Sequence, residues 1–420
     1  MPDAARRRSI WPVLWVLFAL VLVVRTSVRD RGVITDHLEF GRRLLHGEDP
    51  YAPYLEPKPL HPPYPPSFGL LTAPFSLLPE RGARIAWGLL QAAALLAVLA
   101  FLRRALQTRA PPGRVDPAVT LALALGSRFV LRDTHGGGGN LINLGLACLA
   151  FGAAASGRER TGGILLGCSL ATKPTMVLLW PLLLAFGHAR AALAALATVA
   201  AAVLASLALL GFDPSAWLRW LEGSWRYATQ ADVFAEPALG FPPFTWMNQS
   251  LRCAVARFVG EVPEPLAALV PGFVPGLGLP VAVVVAVRSV LTALLLGATA
   301  WGVVLRRRDA DARLPLLAAV LALSLLLSPI SWKAHHVALL PAFALLFSRA
   351  LAGARAAWSG AALYAAACVV GEEFTGKAVK ELLQSSYVIT AGTLAFWVFA
   401  WSGRRKAPGV LLASARGRGT

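Results

Sequence analysis

The sequence predicts an all-α, polytopic membrane protein with about twelve transmembrane helices, outer-face loops and short juxtamembrane helices. Of its 420 residues, 56% are hydrophobic and only 15% are charged, and the mean hydropathy is +0.60. Soluble domains carry about a quarter charged residues, so a chain this long and this apolar needs the bilayer as its solvent. The net charge of +18 lies in short basic clusters between apolar runs. That pattern is typical of cytoplasmic loops and argues against nucleic acid as a partner.

The first predicted span follows Arg6-Arg7-Arg8 and is uncleaved, because no small-residue cleavage site comes after its apolar stretch. The fifth and sixth spans are short because Lys173-Pro174 interrupts them, and proline breaks a helix by lacking an N–H and clashing with the preceding turn. We expect these two to form a bent pair. The candidate spans run near residues 10–25, 83–102, 116–132, 140–156, 162–172, 174–187, 191–211, 280–305, 314–330, 336–350, 357–371 and 387–402.

Basic residues concentrate in alternate short loops, which places both termini in the cytoplasm of a multi-pass inner-membrane protein. Residues 1–402 are predicted to form one membrane domain, with long outer loops at 26–82 and 212–279. The basic stretch 403–420 is predicted to be a disordered cytoplasmic tail. The first outer loop contains an amphipathic stretch from Asp36 to His46, suited to the headgroup level of the membrane.

Polar residues that look out of place in such a chain gather at the outer ends of spans and in the outer loops. Ionisable side chains near membrane depth are costly to bury and mark a site or a water-filled cavity. Their gathering on one face predicts a site that opens outward. These residues are Asp36, Glu39, Asp49, Arg128, Arg132, Asp133, His135, Lys173, Arg226, Asn248, Gln249, Lys333, His335 and His336.

Asp36 has two interpretations that the sequence leaves open. As an N-cap it would open a short helix, with Glu39 three residues later completing a capping box. As a general base at the membrane edge it would take a proton from an acceptor hydroxyl. The two interpretations do not exclude each other.

Three further motifs follow along the chain. The glycines 136–139 before Asn140 predict a tight turn more than a phosphate cradle, since no Gly-Lys-Ser/Thr follows them. Lys173-Pro174-Thr175 places a cation at a helix break, where it either binds phosphate or snorkels. The segment 328–336 combines a proline break, an indole, a cation and two imidazoles. Adjacent histidines on a helix point about 100° apart, so one of them contacting phosphate or sugar is favoured over a metal pair.

No cofactor is predicted. The four cysteines have no disulfide or metal-binding spacing, and the predicted outer loops 26–82 and 212–279 contain no acidic DxD triplet, so we expect a metal-independent reaction.

The motifs, in this order, resemble those of glycosyltransferase family 87, a family of the GT-C superfamily. Two departures are visible, because the usual Gly-Gln-x-Asn is a glycine run without Gln, and the usual Lys-His-His is Lys333-Ala334-His335-His336. In the first outer loop the matching residues are Asp36, 47–51, 64–66 and 73–75. Further along the chain they are the glycine turn ending in Asn140, the stretch from 165–167 to 173–175, and the segments 248–252 and 328–336.

This resemblance implies an all-helical membrane enzyme that moves a sugar, typically mannose, from a polyprenyl-phosphate donor to a lipid or glycan acceptor on the outer face, with membrane lipids as further partners. It implies that Asp36 is the catalytic aspartate and His335 the histidine near the late span. Contacts to the donor phosphate or sugar are predicted for Lys173, Lys333, His335, His336, Arg226, Arg128 and Asn140. Acceptor-binding or supporting roles are predicted for Glu39, Asp49, Tyr51, Tyr64, Asn248 and Gln249.

Two other function classes stay open at this stage. A transporter or flippase of lipid-linked sugars would have a similarly polar outer cavity, although the chain has no convincing internal repeat. A ligase that transfers glycans from a lipid diphosphate would carry more outer-loop arginines. A purely structural scaffold would not need cations at helix breaks.

Overall fold

The computed structural model describes residues 10–29, 32–52, 64–235, 242–369 and 372–401. Across these ranges the regular structure is helical and contains no strand, which confirms the all-α prediction. The predicted basic tail 403–420, the N-terminal arginines and most of the proline-rich part of the first outer loop lie outside the described residues.

In chain order, the helices are α1 Trp11–Ser27, α2 Val33–Leu45, α3 Phe68–Ser76, α4 Glu80–Gln107, α5 Pro112–Thr134, α6 Asn140–Ala155, α7 Glu159–Thr172, α8 Leu179–Ala185, α9 Ala189–Leu209, α10 Ser215–Thr229, α11 Leu251–Val259, α12 Glu264–Ala267, α13 Val281–Arg306, α14 Arg313–Leu327, α15 Leu340–Leu351, α16 Arg355–Tyr364, α17 Glu372–Ser385 and α18 Val388–Trp401. Short 3₁₀ turns at Pro174–Met176, Ala310–Ala312 and Lys333–Leu339, and a π turn at Ala365–Val369, connect some of them.

Several of these helices are apolar enough to cross a membrane, but fewer than the sequence predicts. Five qualify among the described residues, or six if the pair Gly376–Ser385 and Val388–Trp401, bent by 52°, counts as one span. Since a span needs about 20 apolar residues, shorter apolar helices such as α6 do not qualify on length. The prediction of a membrane protein is thus supported, and the count of about twelve spans is not confirmed. The five are Glu80–Gln107, Ala189–Leu209, Val281–Arg306, Ala310–Leu327 and Lys333–Leu351.

The spans differ in how deeply they are enclosed. In the apolar part of α14, with its preceding turn, 72% of residues are buried inside the protein, whereas in α13 only 11% are. The helix α14 therefore belongs to the core, where its leucines share one buried hydrophobic cluster with leucines of α4, α5 and α15. The side chains of α13 face outward along most of its length, which suits a helix solvated by lipid.

The chain breaks at Lys173, as the proline predicted. Helix α7 ends at Thr172, and Lys173 is extended, with φ −156° and ψ 102°, before the 3₁₀ turn at Pro174. A residue that precedes proline is pushed out of the helical region by the proline ring. Helix α7 packs closely on α9, because a Cβ at Gly167 would lie only 2.7 Å from the Ala195 carbonyl oxygen. This packing fixes the end of α7, and with it the position of Lys173.

Helix α2 confirms the amphipathic stretch but begins three residues earlier than predicted. Its N-cap is Gly32 and its first residue is Val33, so Asp36 lies within the first turn. The interpretation of Asp36 as an N-cap is therefore wrong, because Gly32 already provides the conformational break that starts the helix. One face of α2 is buried, at Ile34, His37, Phe40, Gly41 and Leu44.

The glycine run forms the predicted turn and holds two helices together. The Gly136 carbonyl accepts the Ile34 N–H at 2.9 Å, and the Gly137 carbonyl accepts the Trp87 indole N–H at 2.9 Å. Gly137 adopts φ +78°, and a Cβ there would lie 2.5 Å from the Ile34 Cβ. Only glycine gives both this left-handed conformation and this close approach. The turn thereby docks the start of α2 against α4.

Candidate active site

A polar cluster forms where the chain breaks after α7. The Lys173 ammonium donates to Asn140 Oδ1 at 2.6 Å and lies 3.3 Å from His335 Nε2. It also lies 5.6 Å from the centre of the Tyr64 ring, within range of a cation–π contact. Lys173, His335 and Tyr64 are half-buried. The structure therefore unites four predicted site residues from distant parts of the chain.

The hydrogen bonds of His335 decide which of its ring nitrogens carries the proton. The Trp332 backbone N–H donates to His335 Nδ1 at 2.9 Å, so this nitrogen is an acceptor and is unprotonated. In a neutral imidazole the proton then lies on Nε2. Nε2–H and the Lys173 ammonium are both donors, and they face each other. An anionic oxygen placed beside both of them would satisfy the pair.

Asn140 is oriented by Asp133, which the sequence placed on the outer face without a specific role. The Asp133 carboxylate accepts the Asn140 side-chain amide at 2.7 Å and the Leu141 backbone N–H at 2.8 Å. The carboxylate thus accepts hydrogen bonds at the start of α6, where backbone N–H groups have no partner within the helix and negative charge is favoured. With its amide nitrogen held by Asp133, Asn140 points its oxygen at Lys173.

The backbone at the break is held from the other side by Asn143 of α6. Its side-chain amide donates to the Lys173 carbonyl at 3.1 Å and to the Thr175 hydroxyl at 2.9 Å, and Ser169 donates to its oxygen. These bonds satisfy groups that the proline leaves without helical partners. Next to the cluster lies a cavity of about 20 Å³, with Asn140 and His335 in its wall, which is about the room that one water needs.

Helix α2 lies beside this cluster and presents Asp36 on its outer side. Asp36 is exposed, and no hydrogen bond or ion pair joins its carboxylate to another described residue. Packed atoms partly desolvate the carboxyl and raise the pKa of Asp36 above the ordinary aspartate value. A carboxylate with a raised pKa and no partner among the described residues suits a general base.

The next residue, His37, was not predicted as a site residue. It is 1% exposed, and neither ring nitrogen has a hydrogen-bond partner among the residues that the structure describes. Its ring packs against those of Tyr64, Phe68 and Trp87, with centroids 5.2, 4.8 and 5.5 Å away. Burial, and next the nearby charge of Lys173, lower the pKa of His37 to about 3. In the sequence, only its position among the apolar residues of the amphipathic stretch could have indicated that His37 is buried.

Glu39 is bound within α2. It accepts from Arg42 at 2.8 Å and from Arg43 at 2.6 Å. The Arg42 hydrogen bond is the largest of the causes that lower the pKa of Glu39 to about 2. Its observed contacts are those of a residue that stabilises the helix carrying Asp36.

Asp49, Tyr51 and Tyr64 tie the first outer loop together. Asp49 accepts the Tyr51 backbone N–H at 3.0 Å and pairs with Arg219 of α10 at 3.0 Å. The Tyr51 hydroxyl donates to the Tyr64 carbonyl at 2.8 Å. Through these contacts the loop holds the Tyr64 ring near Lys173.

Asn248 and Gln249 brace the segment that leads to His335. Asn248 donates to the carbonyls of Pro243 and Pro329 at 3.0 and 2.9 Å, and accepts from the Ser331 and Ser250 N–H groups. The Gln249 N–H donates to the Ser331 carbonyl at 2.7 Å. The Asn248 side chain and the Gln249 backbone N–H thus hold the backbone around the Pro329 break, while the Gln249 side-chain amide donates to the Trp246 and Gln384 carbonyls, both at 3.0 Å.

The remaining predicted residues lie apart from Lys173. His336 is fully buried, and its Nδ1 contacts the Trp332 carbonyl at 3.0 Å while its ring packs on Phe129, so His335 is the histidine that faces Lys173. Lys333 has other cations as its charged neighbours, Arg128 among them. Arg226 is exposed and pairs with Glu222 of its own helix at 2.5 Å.

A family model for glycosyltransferase family 87 matches residues 63–329 of the chain. The chain belongs to glycosyltransferase family 87. Membership of the GT-C superfamily is consistent with this family, and a sugar-transferring enzyme uses a sugar donor and an acceptor. Comparisons with curated proteins and with solved structures return no match.

The family-87 match covers Asn140 and Lys173, whereas Asp36 lies before its first residue and His335 after its last. The polar cluster thus joins Asn140 and Lys173, inside the matched range, with His335, which lies outside it. Among the described residues of this family-87 glycosyltransferase, no group of three or more His, Cys, Asp or Glu side chains is arranged to hold a metal ion.

Proposed function

We propose that this glycosyltransferase moves a hexose, mannose in the first instance, from a polyprenyl-phosphate donor to a lipid or glycan acceptor at the outer face of the cytoplasmic membrane. The observation that carries the proposal is the pair of donors at the helix break. The Lys173 ammonium and His335 Nε2–H face each other at 3.3 Å, and within the described residues neither of them donates a hydrogen bond to a carboxylate. A phosphate oxygen of the donor would fill that role.

The reaction is a direct displacement at the anomeric carbon. Asp36 takes the proton of the acceptor hydroxyl while that oxygen forms a bond to the anomeric carbon. The bond between this carbon and the phosphate oxygen breaks, and its electron pair leaves with the polyprenyl phosphate. Lys173 and His335 stabilise the charge of that leaving group, and Asn140 keeps the ammonium in position through its 2.6 Å hydrogen bond.

The composition of the cluster supports a monophosphate carrier over a diphosphate. One ammonium and one imidazole N–H meet at the break, and the cations around Lys333 form a separate group. Two phosphates would need more donors at the same point. The exposed apolar face of α13 gives an isoprenoid chain a way to remain in the bilayer while its phosphate reaches the protein.

The proposed orientation rests on charge. Basic residues concentrate in alternate short loops, and with those loops in the cytoplasm both termini lie inside and Asp36 lies outside. The amphipathic helix α2, with its buried and exposed faces, would lie at the headgroup level.

The test uses purified protein in lipid nanodiscs with labelled polyprenyl-phosphate mannose and a membrane-lipid extract as acceptor. We expect transfer by wild type and a rate about 10²–10⁴-fold lower with Asp36→Asn, the usual contribution of a general base. Glu48→Gln is the matched control, because it removes a carboxylate from the same loop, where it makes only long contacts of 3.6 and 3.7 Å with arginines.

Equal transfer by wild type and Asp36→Asn would remove Asp36 from the mechanism. No transfer by wild type from any polyprenyl-phosphate hexose, together with movement of the same lipid across vesicle membranes containing the protein, would replace the proposal with a flippase.

A further inference from the structure

Helix α2 carries two adjacent polar residues with opposite surroundings. Asp36 is exposed, whereas His37 is 1% exposed and lies among the rings of Tyr64, Phe68 and Trp87. Successive residues on a helix point about 100° apart, so one helix directs a carboxylate outward and an imidazole inward. Nothing in the mechanism above uses that imidazole.

His37 is a poor choice for stability alone. A neutral imidazole has one N–H donor and one acceptor nitrogen, and both nitrogens of His37 are enclosed without a partner in the described part of the chain. Buried polar groups in native proteins are nearly always paired, and an unpaired one costs free energy that an apolar side chain of similar size would not. His46, at the end of the same helix, shows the ordinary situation, with Nδ1 2.8 Å from the Arg42 carbonyl.

The surroundings of His37 connect it to the phosphate site. The Tyr64 ring contacts His37 on one side, with centroids 5.2 Å apart, and has the Lys173 ammonium 5.6 Å from its centre. A single half-buried ring is thus shared by His37 and the cluster. Aromatic faces beside one hydrogen-bonding group suit a sugar, whose C–H faces pack on rings while its hydroxyls need donors and acceptors.

We propose that His37 binds the transferred sugar, and that in the donor complex a displacement of the Tyr64 ring lets the imidazole hydrogen-bond one sugar hydroxyl. His37 is then a specificity-determining contact on the same helix as the base. This inference rests on the proposed function, since it takes the sugar to be attached to the phosphate at Lys173.

The experiment compares wild type with His37→Leu and His37→Gln, and uses His46→Leu as the matched control on the same helix. Donors are polyprenyl-phosphate mannose and its monodeoxy analogues, each lacking one sugar hydroxyl. We expect His37→Leu to match or exceed the thermal stability of wild type without ligand, and to lose about tenfold in kcat/KM, the worth of one hydrogen bond. His37→Gln, which keeps a donor and an acceptor, should recover part of that loss, and His46→Leu should transfer at the wild-type rate.

The analogues identify the contact. With wild type, one deoxy donor should react about tenfold more slowly than the full donor; with His37→Leu, that same donor and the full donor should react equally. A His37→Leu protein that is less stable than wild type and transfers at an unchanged kcat/KM would overturn the proposal and make His37 a packing residue.

Failure of the proposed function gives a different result. Wild type would then transfer from none of these donors, while the stability of His37→Leu without ligand would still decide whether His37 is kept for packing. Lower stability would overturn the binding role, and equal or higher stability would support it.

Discussion

Two polar networks flank the segment 328–336, and they differ in how completely their groups are paired. Asn248 makes all four hydrogen bonds that its amide allows, each to the backbone. At the other network Lys173 and His335 bring two donors to within 3.3 Å of each other. A saturated network fixes a fold, whereas facing donors need an acceptor from elsewhere. The sequence predicted residues of both networks as site residues, and the pairing distinguishes the brace at Asn248 from the proposed phosphate site at Lys173.

Among substitutions in these two networks, the largest effect is expected from Lys173→Met. It removes the charge that would stabilise the leaving phosphate, so kcat/KM should fall about 10²–10³-fold, the usual loss for one stabilising donor. The thermal stability of this variant should not fall, because a half-buried ammonium is exchanged for an apolar side chain. Transfer assays and thermal unfolding on the same preparations check both statements. A stable Lys173→Met protein with wild-type activity would end the distinction between the two networks.

His335 allows its two nitrogens to be tested separately. In His335→Asn the side-chain oxygen can still accept the Trp332 N–H, as Nδ1 does at 2.9 Å, but nothing replaces Nε2–H. We expect a folded protein with kcat/KM lowered about 10–10²-fold, since a hydrogen bond to a charged group is lost. His336→Asn, at the neighbouring buried residue, is the control and should affect stability more than kcat. The reverse order of activities would assign the phosphate contact to His336.

The pH profile tests Asp36 as the base. A base works only when ionised, and the pKa of Asp36 is raised by desolvation. Activity should therefore fall with decreasing pH at a higher pH than for an ordinary aspartate, and the residual activity of Asp36→Asn should lack this limb.

The same pKa shift fixes the sign of a stability change. Because the folded state binds this proton more tightly, the Asp36 carboxylate destabilises the fold above its unfolded pKa. Asp36→Asn should consequently unfold at a slightly higher temperature at neutral pH, with the difference lost in acid. Thermal unfolding at several pH values measures it, and a lower unfolding temperature at neutral pH would contradict the raised pKa.

The smallest effect on catalysis is expected from Asn248→Ala. Its loss leaves buried backbone groups unpaired, so the free energy of unfolding should drop by about 2–4 kcal/mol. The rate per folded molecule should stay within about threefold of wild type, as expected when a change misses the reacting groups. Asn140→Ala is the contrasting variant, because Asn140 holds the Lys173 ammonium. Similar rates for the two alanine variants would refute the division into brace and site.

The local features of the fold and site were predictable from the sequence. A proline after Lys173 is enough to break α7 there, and the apolar spacing from Ile34 to Leu44 is enough to give an amphipathic α2. The number of spans was not predictable in the same way, because hydropathy detects apolar runs without fixing where helices end or bend.

Long-range pairing explains the other gaps between prediction and structure. Lys173 meets a histidine 162 positions later, and only the tertiary structure tells His335, which faces the ammonium, from His336, which packs inward. Asp133 acts through the start of α6, and His37 is unusual only because of the rings around it. The N-cap of α2 falls on Gly32 because the glycine turn meets the chain there.

The glycines at the contacts of α2, Gly41 within the helix and Gly137 in the glycine turn, affect how mutations can inactivate this enzyme. A Cβ at Gly41 would lie 2.6 Å from the Ala73 backbone nitrogen, and one at Gly137 would meet Ile34. An added methyl group at either place moves the helix and leaves every polar side chain intact. A misplacement of about 1 Å can cost about a hundredfold in rate. A substitution at Gly41 or Gly137 would therefore inactivate the enzyme although neither glycine contacts a substrate. A screen for inactive variants should therefore recover substitutions at these two glycines as well as substitutions of Asp36.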